Sequence, residues 1–582
     1  MGRRADTSLG RRADASLFPV EGAERLPPVD VVIVGLGAAG GIAAARFAAR
    51  GMVTVGLEAG TRVQAREFAF DELANDVWNA LGAAKVNHEV PTWRPDAAAE
   101  ATTAREGRLV SLMANGIGGG TIHYAGQHFR LAPWHFHVRS STVARYGAAA
   151  IPPGSTVTDW PVTYDELMPY YDAVERELGV SGSAGANPFE GRRSGDFPLP
   201  PLRRTGWTEL IADAARRGGL HPFPGPAAIL SQPYRGQEAC TYCGFCNFGG
   251  CHTDAKGSTY LNAIPRAEAT GNFSAVSDAR VVALPATADG RVGGALYLAG
   301  GRLHFQPAAA VFLSAHAFEN ARLLLLSRSK AFPHGLANNS GQVGRNAMSQ
   351  VYVGVDAVFP GKKLNRFNGT WPQCTSIDDF NGDNFDHSGL GFIGGGCISA
   401  IQEAKPIASA LSTPPSVPRW GSAWKAWLAA HGNSVGRMVA AAESLPYEDS
   451  FLDLDPVVTD PLGVPVARIA FRLHEQEERR YDFLAERMSE ILQDAGATES
   501  WPNFRRLPAA PFQSYFGATR MGDDAAESVT DRWCVAHEVP NLAIVGASSF
   551  PTSGGYPPTA TIQALAWRAA DRLVEGWDAA TG

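Results

Sequence analysis

Residues 29 to 60 read VDVVIVGLGAAGGIAAARFAARGMVTVGLEAG. An apolar run, a glycine-rich turn, an alanine-rich helical stretch and a second apolar run ending in Glu58 follow one another, which is the pattern of strand, helix and strand. Gly35, Gly37 and Gly40 spell GxGxxG at the first turn. Glu58 closes the second strand at close to the spacing of about 20 residues at which such folds grip a ribose. Each residue type has a physical reason. Gly35 permits the tight turn, Gly37 lets backbone approach a pyrophosphate, Gly40 lets helix and strand close up, and the helix N-terminus offers unbonded N–H groups to phosphate. A carboxylate at Glu58 accepts from ribose hydroxyls and disfavours a 2′-phosphate. The stretch predicts a dinucleotide-binding βαβ unit.

Working outward, the chain has 582 residues, with 51 Lys and Arg against 58 Asp and Glu, and a net charge of −7 that argues against a nucleic-acid partner. This length is ample for several domains of roughly 150 residues or two larger lobes. Glycine (63) and proline (39) both run above average, which predicts a loop-rich globular enzyme. The longest apolar run, Val31 to Ala45, is broken by glycines and stops at Arg46, short of the roughly 20 residues of a membrane helix. No transmembrane segment is expected. At the N-terminus GRRADTSL (Gly2 to Leu9) is followed by the near-copy GRRADASL (Gly10 to Leu17). Residues 1–28 read as a disordered basic tail, with a twin-arginine export signal as the alternative. The default localisation is cytoplasmic.

Further elements follow from the same patterns. Tyr164 to Gly179 and Gln476 to Gly496 read as helices, with acids early and Arg or Gly late. Residues 273–307 read as a hairpin and 308–315 as a separate strand running into a helix. VYVGVDAVF, GLGFIGGGCIS, SVGRMVAAAES and VARIAFRL, between Val351 and Leu473, predict an antiparallel sheet. NLAIV (Asn541 to Val545) is a buried strand and Thr559 to Glu575 a closing helix.

Several longer segments carry a resemblance: GLGAAGG with Glu58, NGIGGGTIHYAGQHFR (Asn115 to Arg130), DWPVTYDELMPYYDAVE (Asp159 to Glu175), CTYCGFC (Cys240 to Cys246), DDFNGDNFDHSGLGFIGGG (Asp378 to Gly396) and NLAIVGASSFPTSGGYPPTATIQALAWRAAD (Asn541 to Asp571). Together they resemble the glucose-methanol-choline (GMC) family of FAD oxidoreductases, in its branch of gluconate 2-dehydrogenase large subunits and related sugar dehydrogenases. The resemblance implies an α/β chain (α+β overall): a Rossmann-type FAD-binding domain from residues 29–345 and 525–582, with an inserted Cys-rich loop at 236–256, and an antiparallel-sheet substrate domain at 346–524. It implies that Asn115, Gly116, Gly118 and Gly119 lie beside the flavin and that Gly546, Ala547, Pro558 and Thr559 close over it. It also implies FAD-dependent oxidation of a secondary alcohol of a sugar, sugar acid, polyol or glycoside. Its relatives work with a small subunit and a cytochrome or quinone acceptor, and co-export with such a partner would make the chain periplasmic.

Cys240, Cys243, Cys246 and Cys251 fall within twelve positions, with His252 next in line. The spacing leaves three alternatives: an iron–sulfur cluster, a zinc ion, or free thiols in a packed loop. The resemblance favours the first. Cys374, Cys397 and Cys534 read as core thiols. Among the histidines, His128, His135, His137, His316, His387 and His537 read as packing groups, and His123 as the candidate active-site imidazole. The aromatics from Trp371 to Phe385 either line a pocket or pack in the core.

The family places a His seven residues before the Met of its RMG motif and a His or Asn just before the final PT. Here those places hold Ser514 and Pro557. A serine hydroxyl is far too weak a base, and proline offers no side-chain donor. Ser514, Tyr515, Tyr556 and His123 are therefore the candidate catalytic groups. A second expectation stands beside the dehydrogenase, namely a catalytically degenerate flavin-binding subunit.

Overall fold

The computed structural model describes residues 18–68, 71–73, 90–103, 115–247, 249–503 and 514–581. Val29–Val34, Ala38–Ala49 and Thr54–Leu57 form the expected strand, helix and strand, and the two strands pair in parallel. On one side Phe273–Val276 joins Thr54–Leu57, and on the other Arg302–Leu313 joins Val29–Val34, both in parallel. Leu542–Ile544 arrives from near the C-terminus to pair with Val311, Phe312 and Leu313. The centre of this sheet, Val31 to Val34, Val311 to Leu313 and Leu542 to Ile544, is buried, as a parallel sheet covered on both faces requires.

One side of that sheet carries the helix Ala38–Ala49, against which pack the closing helix Thr559–Thr581 and, beyond it, Tyr164–Leu178. The contact is fixed at its edge by Arg46, whose guanidinium pairs with Asp571 at 2.6 Å. Tyr164–Leu178 starts at Thr163, whose hydroxyl accepts from the N–H of Glu166 while the Glu166 carboxylate accepts from the N–H of Thr163. It ends at Gly179 in a left-handed conformation, the reciprocal start and glycine stop that the sequence carries.

The second sheet has six strands, all antiparallel, in the order Glu499–Pro502, Val351–Val358, Val435–Ala442, Gly396–Ala400, Thr375–Ile377 and Pro222–Pro224. Its core packs on the helices Gly206–Arg217 and Glu475–Asp494, around buried Trp207, Phe359, Leu484 and Met488. A four-stranded sheet joins Phe451–Thr459 and Pro465–Ala470 to Thr92–Arg94 and Thr102–Thr103. The α/β class with a second, antiparallel sheet is the architecture expected.

Four details differ. Residues 302–313 form one continuous strand, its first half in a hairpin with Gly294–Ala299 and its second half in the parallel sheet. Within GLGFIGGGCIS only Gly396 onward is strand, because the glycine run before it turns rather than pairs. The tail is not disordered throughout: Glu24 and Arg25 pair with His304 and Phe305, and Phe18, Val20 and Ala23 pack on the buried Val282–Leu296–Phe305 cluster. Burying that apolar surface offsets the cost of ordering the segment. The paired GRRAD repeats lie outside the described residues. The antiparallel sheet also takes Pro222–Pro224 from outside the 346–524 span.

Helix and strand close up at Gly40, where a Cβ would stand 2.0 Å from the Gly35 carbonyl oxygen. Gly40→Ala therefore forces the turn apart, and overpacking of this kind costs about 1–3 kcal/mol or more. The expected outcome is a lowered thermal midpoint together with reduced flavin content, read by thermal unfolding and absorbance of the purified protein. A variant with unchanged midpoint and full flavin would show that the turn yields freely.

Candidate functional site

At the carboxyl ends of the parallel strands lies a cavity of about 590 Å³, lined at one end by Gly35, Gly37, Glu58 and Asn115 and reaching Tyr352, Trp371 and Ser514. This is where open α/β sheets bind their ligands. The helix Ala38–Ala49 points its N-terminus here, and no side chain caps it, so its first N–H groups remain for an anion. Across from it runs the 3₁₀ turn Gly119–Ile122, so close that a Cβ on Gly119 would stand 2.7 Å from the Gly37 Cα. Two bare backbones thus flank the space for a pyrophosphate.

Glu58 is buried at this end. Its carboxylate accepts from the backbone N–H groups of Leu36 (3.0 Å), Gly60 (2.9 Å) and Gly116 (3.1 Å). Burial pushes its carboxyl above the ordinary range, and these N–H donors pull the other way. The carboxylate faces the cavity and keeps acceptor capacity for ribose hydroxyls. The glycine cradle, uncapped helix and buried carboxylate together fit a dinucleotide such as FAD.

The sequence-predicted residues divide in two. Gly35, Gly37, Glu58, Asn115, Gly119, His123, Ser514, Tyr515, Gly546, Ala547, Pro557, Pro558 and Thr559 all line the cavity. Gly40, Gly116 and Gly118 lie behind its wall. Gly116 donates to Glu58, and Gly118 donates to the Leu36 carbonyl at 2.8 Å, so both shape the cradle from outside.

Tyr556 is not on the cavity. Its ring stacks on Phe129, and its hydroxyl donates to buried Asp378 at 2.5 Å, where Asn187 and Asn381 also donate. Burial and the Asp378 carboxyl push its phenol far above the usual range. As a candidate base it is displaced, and it serves as a packed strut instead. Tyr515 does face the cavity, in a two-stranded ladder with Ser349, and its ring packs edge-on against His316 at 5.0 Å and tilted against Phe318 at 4.6 Å.

The Ser514 hydroxyl lies 3.2 Å from that of Tyr352, a residue of strand Val351–Val358 that carried no functional signal in the sequence. Burial raises the Tyr352 phenol, so the pair is two neutral hydroxyls. His316, read from sequence as packing, also lines the cavity. Its Nδ1 accepts from the N–H of Phe318 at 3.3 Å, and desolvation pulls its pKa down to about 4. In this neutral ring the hydrogen then sits on Nε2.

The cysteines do not form the expected centre. Cys240, Cys243, Cys246 and Cys251 are all free thiols, and among the described residues no group of three or more His, Cys, Asp or Glu side chains is gathered to hold a metal ion. Desolvation pushes the Cys240 thiol up to about 12, and those of Cys243 and Cys246 also rise. Neither an iron–sulfur cluster nor a zinc site is supported by the described residues. Cys374, Cys397 and Cys534 are buried, as expected of core thiols.

The sequence profile described as GMC oxidoreductase matches residues 446–566. The gluconate 2-dehydrogenase flavoprotein of Pantoea cypripedii is 34% identical, covering 95% of this chain and 94% of its own. The chain belongs to the GMC oxidoreductase family. The 2-methyl-1,2-propanediol dehydrogenase of Mycolicibacterium austroafricanum is 30% identical over 79% of this chain and 81% of its own. Pyridoxine 4-oxidase from Mesorbium loti has a similar solved structure, with a TM-score of 0.62 at 16% identity, covering 94% of this chain and 99% of that one. As a GMC oxidoreductase the protein is an enzyme acting on CH–OH groups, and no helix among the described residues is long and apolar enough to cross a membrane.

Glu58→Ala removes the acceptor for three backbone N–H groups as well as that for the ribose. With charge-assisted hydrogen bonds contributing about 1.5–3 kcal/mol each, the purified variant is expected to lose most of its flavin on gel filtration, and Glu58→Gln to retain more. Full flavin occupancy in Glu58→Ala would show that the carboxylate does not organise this end.

Proposed function

We propose that the cavity binds FAD and that the enzyme oxidises a secondary alcohol of a sugar, polyol or glycoside. The observation that carries the reading is the single cavity that joins the Gly37–Glu58 cradle to the Tyr352–Ser514 hydroxyls and the Trp371 indole. Bound FAD would supply the hydride acceptor. The chain's own residues then have separable tasks. Trp371 offers a flat apolar face suited to the C–H face of a sugar ring, and Asn247 beside it on the lining offers an amide for hydroxyls. Tyr352 and Ser514 hold a substrate oxygen by hydrogen bonds. The closing helix brings its N-terminus at Thr559 to the cavity, favouring negative charge there.

Hydride departure requires the alcohol proton to leave as well, and here the site is weak. His316 cannot take it, because its acceptor nitrogen is already occupied by Phe318. Ser514 and Pro557 replace the imidazole and amide of the family pattern, and both face the cavity. His123, on the opposite wall, is the other imidazole among the described lining residues. The expected behaviour is slow oxidation of ordinary alcohols. The same two substitutions favour a second reading, a flavoprotein that holds its cofactor without oxidising alcohols.

Anaerobic addition of a panel of sugars, polyols and glycosides separates the two readings, since only the first bleaches the oxidised flavin spectrum. A general base typically contributes 10²- to 10⁴-fold, so Ser514→His with Pro557→Asn should accelerate bleaching within that range. No bleaching by any member of the panel, in wild type or the double variant, would sink the dehydrogenase reading.

A further inference from the structure

The wall that carries Asn247 and Trp371 is held by one buried carboxylate. The described residues of 240–251 form no helix or strand, so their backbone groups need partners from elsewhere. Glu403, just past strand Gly396–Ala400, supplies them. Its Oε2 accepts from the N–H groups of Cys246 (3.1 Å), Asn247 (3.1 Å) and Trp371 (3.2 Å), and its Oε1 also accepts from Asn247 at 3.1 Å. The carboxylate therefore ties two chain segments to each other, and both present a side chain to the cavity.

Two lysines complete the clamp from the carbonyl side. The buried Lys256 ammonium has three donors and meets three carbonyls: Cys246 at 2.9 Å, Gly249 at 2.7 Å and Tyr124 at 2.9 Å. Tyr124 belongs to the flavin loop, so Lys256 fastens the cysteine loop to it. Lys405 pairs with Glu403 at 3.3 Å and donates to the Asn247 carbonyl. Main-chain groups of Cys246 and Asn247 are thus bound on both sides by buried charge. The side chains of Asn247 and Trp371 make no hydrogen bond among the described residues and border the cavity, so their polar groups remain for a ligand.

We propose that Glu403, together with Lys256 and Lys405, is a positioning residue for substrate: it fixes the Asn247 amide and the Trp371 indole as a hydrogen-bonding and stacking pair for a hydroxylated ring. The cysteine loop is then a wall of the substrate site. This rests on the alcohol-oxidising reading above. Because the clamp acts only through Asn247 and Trp371, it affects substrate capture rather than the chemical step.

The test uses the flavin-loaded enzyme and the best substrate of the alcohol panel. Glu403→Ala is expected to raise KM about tenfold, the effect of one lost charge-assisted hydrogen bond, with kcat within about twofold and flavin content unchanged. Glu403→Gln, which keeps the shape and one acceptor oxygen, should fall between the two and guards against a folding defect. On an Asn247→Ala, Trp371→Ala background the further change Glu403→Ala should add little, since its route of action is gone. Additive effects, an unchanged KM, or loss of flavin in step with KM would each overturn the proposal. Should no alcohol reduce the flavin in any variant, the alcohol-oxidising reading fails and the clamp is judged on the loop alone. Labelling of the Cys243 and Cys251 thiols by a disulfide reagent must then run at least several-fold faster in Glu403→Ala, and an unchanged rate refutes the clamp.

Discussion

The cavity depends on a carboxylate that is surrounded by backbone. Glu58 gathers the N–H groups of Leu36, Gly60 and Gly116 onto one side chain, and so joins the glycine turn, the end of the second strand and the start of the flavin loop. Charge-assisted bonds to N–H groups are short and directional, which converts three loops into one rigid corner. The cost is the upward shift of the Glu58 carboxyl pKa, since burial opposes the charge that the N–H groups stabilise. A cradle that must let backbone approach a pyrophosphate has few side chains of its own, so its rigidity has to come from a residue such as this.

The same solution recurs at the other end. There Glu403 and two lysines hold segments without regular structure, again through main-chain groups. A loop-rich enzyme leaves many backbone donors and acceptors outside sheets and helices, and buried charges paired with several of them are stable where isolated ones would not be. The antiparallel sheet provides the fixed reference for this end, since Tyr352, Val439 and the approach to Glu403 all come from its central strands or their extensions.

Between these corners the chemistry is unusually neutral. Tyr352 and Ser514 face each other as hydroxyls, and His316 is kept uncharged by burial. Neutral hydroxyls and a neutral imidazole can donate and accept hydrogen bonds, whereas deprotonating an alcohol needs a base with a pKa near the working pH.

The dinucleotide cradle, the family and the presence of Ser514 and Pro557 near the ends of its last motifs were legible in the sequence by itself. They reside in contiguous motifs whose spacing is set by a single turn or helix, so local order carries the information. Which side chains reach the cavity was decided only by tertiary structure. Tyr556 looked available but turns to Asp378, 178 positions away, and the backbone N–H of Cys246 is held by Glu403, 157 positions away. Tyr352 and Asn247 gave no signal at all. Their roles come from contacts between segments far apart in the chain, chosen by packing and by the need to satisfy buried backbone groups, and no periodicity within a segment records such partners.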